Sequence, residues 1–132
     1  AVGYEKLTKE EQQQLGTIDF QVQPHRQHWF ERLGGLHGQQ EQKPEEKERA
    51  YQVMTAWDEF MADSAAKFLT DRQLRRLVIL AGSGHIEKGF GIPDRAAKRA
   101  PGRKSATVTI RQGGDPGKEG KDPQADYTVY IH

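Results

Sequence analysis

"RLVILAGSGHIEKGFGIPDRAAKR", residues 76–99, is the stretch on which the reading of the fold turns. Leu77 to Ala81 is a continuous apolar run, with arginine before it and glycine after it. Such a run predicts a short strand covered on both faces, as in a parallel sheet flanked by helices. It stops at Gly82-Ser83-Gly84-His85, and a second glycine hinge, Gly89-Phe90-Gly91, leads into a short helix from Pro93 to Ala100, closed by Pro101-Gly102. In open α/β sheets ligands bind beyond the carboxyl ends of the strands, which is where this loop falls. Glycines let the backbone turn sharply and approach a ligand closely. His85 brings an imidazole able to ligate a metal or haem iron, or to exchange protons near neutral pH.

Upstream lies the strongest helix pattern in the chain, Pro44 to Leu69. Pro44 suits a first helical turn, and Glu45, Glu46 and Glu48 sit where the helix dipole favours negative charge. Ala50, Val53, Met54, Trp57, Phe60, Met61, Ala65, Phe68 and Leu69 recur with the helical period and predict one apolar stripe laid against a sheet. Before it, Thr8 and Glu11 form a capping-box pair opening a short helix that ends near Gly16. Residues 17–42 read as irregular, with Pro24 halting the alternation of Ile18, Phe20 and Val22, and one or two helical turns at 28–33. Downstream, 106–111 and 126–131 alternate as strands, and residues 112–125 between them form a flexible loop rich in glycine and proline. The expected fold is therefore α/β in one domain over 1–132. It has a partial sheet of about three strands with the long amphipathic helix packed on it. Three strands make a poor sheet alone, so partner strands are expected from elsewhere in the domain or from a second copy.

Composition narrows the function classes. The chain has 132 residues, 34% of them hydrophobic and 30% charged, so its core is thin. Its formal net charge is +1, which gives no reason to expect nucleic acid as a partner. Without cysteine there is no disulfide, thiolate metal site or thiol nucleophile. No stretch approaches a membrane span, so membrane association would come only through an anchor outside this chain. The first residue is Ala, so the chain reads as starting after processing or trimming, and a missing targeting segment carries no weight.

Each candidate residue has a plainer reading. The Gly82–His85 loop is on spacing alone equally well a tight turn with a surface histidine. Asp58 lies on the methionine-bearing edge of the long helix, between Met54 and Met61. A carboxylate there can orient a histidine, although the solvent boundary of the stripe is the commoner place for one. His25, His28 and His37 read as ordinary polar residues, and Met54 and Met61 as core filler.

Three stretches together resemble a known family. They are 51–69 "YQVMTAWDEFMADSAAKFL", with Trp57-Asp58 and Met61-Ala62; 78–99, with Ala81-Gly82-Ser83-Gly84-His85, Gly91-Ile92-Pro93 and Arg95; and 125–131 "ADYTVYI". They resemble the ChaN-like haem-binding uptake family of the Tiki superfamily, and correspond to the C-terminal half of its domain. The resemblance implies a fold incomplete without an N-terminal half, and a bacterial protein of iron acquisition at the cell envelope, periplasmic or associated with the outer membrane. It implies haem as cofactor, and leaves a divalent metal ion as the alternative, since metal-dependent hydrolases belong to the same superfamily. His85 then corresponds to one half of a paired histidine motif, Gly82, Ser83 and Gly84 to its loop, and Asp58 to an acidic position.

The leading expectation is haem held at the strand-end loop and the face of the long helix. His85 or Tyr51 would be the iron donor, with Tyr4 a further tyrosine of the right chemistry, and Asp58 beside them. Trp57, Met61, Phe90, Ile92 and Pro93, with Phe60, would wall the pocket, and Arg95 would pair with the propionates. The partners expected are haem and either the N-terminal half of the domain or a second copy. Metal-assisted hydrolysis by His85 and Asp58 is the alternative. Two ligands fall short of the roughly three that a catalytic metal takes, so the expectation for this chain leans away from an enzyme. A structural or interaction module is the remaining reading.

Overall fold

The computed structural model describes residues 4–15, 17–36, 43–71, 76–113 and 124–131. In chain order these form α1 (Lys9–Leu15), α2 (Gln23–Leu36), α3 (Pro44–Asp71), α4 (Ile92–Arg99), β1 (Val108–Gln112) and β2 (Tyr127–Ile131), with 3-10 turns at Tyr4–Lys6, Ser83–His85 and Glu87–Gly89. The chain divides into two compact units, Ala1–Phe60 and Met61–His132, and the division falls inside α3.

In the first unit the capping box forms as its sequence predicts. The Thr8 N–H donates to Glu11 Oε2 at 2.8 Å, and the Glu11 N–H donates back to Thr8 Oγ1 at 3.2 Å. Gln12 Nε2 then donates to the Tyr4 and Leu7 carbonyls, while the Tyr4 N–H donates to Gln52 on α3 at 3.1 Å. The segment expected to be irregular contains a fourteen-residue helix, α2. Pro24 does halt the alternation of Ile18, Phe20 and Val22, but it does so by occupying the first turn of this helix, where its missing N–H costs nothing.

Along α3 the expected stripe splits. Met54 and Ala65 are buried, whereas Trp57 is 59% exposed, Phe60 56% exposed, and Val53 exposed beside them. Positions 53, 57 and 60 share one side of the helix, and 51, 55, 58 and 62 share another. The buried side carries Tyr51, Thr55, Asp58 and Ala62. Polar residues lie inward because α2 brings a polar side chain of its own to meet them.

In the second unit Arg103 Nη2 donates to the Leu69 carbonyl at 2.8 Å, tying the end of α3 to the segment before β1. The run expected to be an interior strand forms no regular secondary structure and lies in solvent, with Val78 81% and Leu80 94% exposed. Its backbone makes no hydrogen bond to another described residue. A strand is held by its neighbours, and none of the described strands lies beside this one. The sheet that does form has two strands, not three: β1 and β2 pair in parallel with Val108 opposite Tyr127 and Ile110 opposite Val129. Thr107 and Thr109 are buried, while Val108, Ile110, Tyr127, Val129 and Ile131 are exposed. Of the expected loop over 112–125, residues 114–123 lie outside those described.

Asp126 locks the entry to this strand pair. Its Oδ2 accepts the Thr107 N–H at 2.6 Å and the Thr107 hydroxyl at 2.8 Å, and its own N–H donates to Thr107 Oγ1 at 3.0 Å. The Thr107 N–H, followed by the Thr107 hydroxyl, holds the Asp126 carboxyl below the usual carboxylate range. A lowered folded pKa contributes stability that is present above the unfolded value of about 3.9 and fades as pH falls through the lower folded value. Protection of the Tyr127 amide, which donates to the Thr107 carbonyl at 3.1 Å, is therefore expected to drop on acidification below about pH 4. In Asp126→Asn the protection is expected to be low across the whole pH range. Hydrogen exchange read by NMR measures both.

Candidate functional site

The structure gathers the sequence-predicted site residues into two groups, one in each unit. In the first, Tyr51 and Asp58 lie on the buried side of α3, both 0% exposed. His25 of α2, 1% exposed, lies over them. Its Nε2 stands 3.8 Å from Asp58 Oδ2, and its ring packs edge-on against Tyr51 with centroids 5.6 Å apart. Asp58 is thus interior, not the solvent boundary that its place beside the methionines suggested. Thr55, one turn after Tyr51 and also 0% exposed, has a hydroxyl that makes no hydrogen bond to a described residue. The neighbouring Arg26 forms a two-pronged ion pair with Glu48, with Nη1 to Oε1 at 2.9 Å and Nη2 meeting Oε2. Its guanidinium covers the Phe30 ring at 4.8 Å and the Tyr51 ring at 5.3 Å. Glu48, chiefly through that hydrogen bond, holds the Arg26 pKa above its ordinary value.

Sequence reasoning passed over His25 because the irregular reading of 17–42 gave it no helix to sit on. The signal that finds it is Pro24 as a helix opener. On that reading His25 and Trp29 fall four residues apart on one side of α2.

In the second unit the glycine loop is ordered by its own backbone. Ser83–His85 forms a 3-10 turn in which the His85 N–H donates to the Gly82 carbonyl and the Ile86 N–H to the Ser83 carbonyl, each at 3.0 Å. Gly82 lies close under the histidine: a Cβ added there would stand 3.7 Å from the His85 ring carbon Cδ2. A second turn, Glu87–Gly89, follows with Lys88 at φ 55°, and the Lys88 N–H donates to the Gln124 carbonyl at 2.7 Å just before β2. His85 is half-buried, Lys88 exposed and Glu87 buried. His85 therefore leaves a hydrogen-bonded turn that follows an exposed segment, not the end of an interior strand.

The hinge beyond sets α4. Gly91 adopts φ 73° and ψ −121°, a conformation open to glycine alone, and its carbonyl accepts from Arg95 Nη1 at 3.3 Å. Ile92 and Arg95 are each 2% exposed, Phe90 and Pro93 are half-buried, and so is Met61 on the part of α3 in this unit. Arg95 thus braces the hinge from inside, and the exposed cation of this loop is Lys88. Gly91→Ala should destabilise the chain by about 1–3 kcal/mol, because alanine meets its Cβ clash in this region of backbone space. Urea denaturation of the variant measures the loss.

Among the described residues no three His, Cys, Asp or Glu side chains gather as a metal site. The donors suited to haem are of the right kinds, an imidazole and exposed aromatic surface, but they differ in access. His85 is partly open, whereas Tyr51 is wholly covered and can meet a haem iron only if α2 leaves α3. No curated protein and no solved structure matches the chain. The profile of one family, described as haem-binding uptake, Tiki superfamily, ChaN, matches residues 1–96, and the chain belongs to that family.

Proposed function

We propose that this protein binds haem in a bacterial iron-uptake system of the cell envelope, periplasmic or associated with the outer membrane. The observation that carries the reading is the half-buried His85 on a backbone-bonded glycine turn, in a chain whose family is described as haem-binding. His85 would hold haem through its iron, for which an imidazole is a common donor. The turn fixes the histidine backbone, so little loop entropy is lost when the ring ligates. Arg95, buried, holds the hinge in shape.

Titration of the full chain with ferric haem is expected to shift the Soret band and saturate at one haem per chain. A spectrum equal to that of haem in buffer would sink the proposal.

A second reading is favoured by the exposed run Leu77–Leu80 together with the exposed apolar face of β1 and β2. Parallel sheets are ordinarily covered on both faces. We propose that further strands, from the N-terminal half of the same domain or from a second copy, pair with this part of the second unit. Sedimentation across a concentration series tests the second-copy form: a dimer that dissociates on dilution supports it, and a monomer throughout removes it. None of the described helices is long and apolar enough to cross a membrane.

A further inference from the structure

The sheet of the second unit presents a flat apolar face that neither haem ligation by His85 nor the strand pairing proposed above uses, since strand pairing engages the backbone at the sheet edges. We propose that two copies of this chain stack these faces on each other across a two-fold axis.

Register sets the face. β1 and β2 pair in parallel with Val108 opposite Tyr127, Ile110 opposite Val129 and Gln112 opposite Ile131, and alternate residues of a strand point to the same side. Thr109 lies opposite Thr128 on the other side, where the two hydroxyls meet at 3.2 Å and Thr107 and Thr109 are buried. The first side therefore holds five large apolar side chains, and its sixth position, Gln112, is uncharged. All five are between 47% and 69% exposed. Little in the chain itself is left to cover them. Of the residues outside those described, only Val2 and Leu74 are large and apolar, and the connection over 114–123 consists of Gly, Asp, Pro, Lys and Glu.

A second copy has the surface that fits. A two-fold interface sets the same patch on both sides, so each side chain meets its own kind across the axis. A face without charge meets itself without like-charge repulsion. Shape agrees, because the β-branched Val108, Ile110, Val129 and Ile131 form the kind of surface that interdigitates when two sheets pack about 10 Å apart. Area agrees as well. Five large side chains about half to two-thirds in water amount to on the order of 500 Å² in each copy, so a stacked pair buries roughly 1,000 Å², where specific interfaces begin. Ile110 and Val129 form the middle of the three rows, so the axis falls beside them.

The test is sedimentation of the full, haem-free chain across a concentration series, with Ile110 changed to either charge. The parent chain is expected to dimerise reversibly. Ile110→Lys and Ile110→Glu should each raise the dimer dissociation constant by at least about thirtyfold, the scale for a central interface residue. Circular dichroism should stay unchanged, because the Ile110 side chain is largely in water in the single chain. Mixed in equal amounts, the two variants should recover a dimer, since opposite charges then meet across the axis. A parent chain that stays monomeric at every concentration would overturn the proposal, and with it the second-copy form of the strand pairing. A dimer unchanged in both variants would overturn this proposal alone and return the association to the strand edges. Monomeric variants whose mixture stays monomeric would also overturn it.

Discussion

His85→Ala should remove the haem-induced Soret shift and weaken haem binding by at least about tenfold, the lower end of what disturbing a metal's ligand environment costs. The fold should survive the change. His85 is half-buried, and the turn that carries it is made by backbone bonds, from the His85 N–H to Gly82 and from the Ile86 N–H to Ser83, which alanine keeps. Urea denaturation should therefore move by no more than about 0.5 kcal/mol, as for a change that empties no core. The pair of measurements is diagnostic. Lost haem with intact stability assigns the imidazole to the ligand. An unaltered Soret band in the variant would take the iron away from His85, and with it the reading of the loop as the haem site.

The parts legible in the sequence are those whose causes are local. The capping box at Thr8 and Glu11, the start of α3 at Pro44 and the start of α4 at Pro93 depend on residues within a turn of each other, and all three form. What the sequence misled on was governed by distant partners. Leu77 to Ala81 has the composition of a buried strand, yet burial belongs to the neighbours, and none of the described strands provides it. Along α3 the helical period marks Trp57 and Phe60 as apolar, but which side turns inward is decided by α2, whose His25 and Arg26 make the polar side the packed one. The candidate site divides the same way. The glycine loop and its histidine are visible as a motif, and residues 1–96, which include it, are the part the family profile matches. The association of His25 with Asp58 crosses 33 positions of sequence, 25 to 58, and nothing in either residue's surroundings announces the other.

The orientation of α3 is itself open to a decisive stability comparison, and the outcome runs against hydrophobicity. Trp57 is the larger and more apolar side chain, and the helical stripe read from sequence makes it the core residue. Tyr51 is nonetheless the one sealed from solvent, with its ring against His25 at 5.6 Å and Phe30 at 5.8 Å and under the Arg26 guanidinium. Tyr51→Ala should therefore cost about 3–5 kcal/mol, the range for truncating a large buried aromatic, since it removes the contacts and leaves a cavity between two helices. The loss should appear as a lower urea midpoint with little change in slope. Trp57, 59% exposed, has its ring largely in water already, so Trp57→Ala should cost under about 1 kcal/mol. The ordering is the test, because it does not depend on either magnitude. If Trp57→Ala proves the more damaging, α3 is turned the other way, and Asp58 returns to the solvent edge.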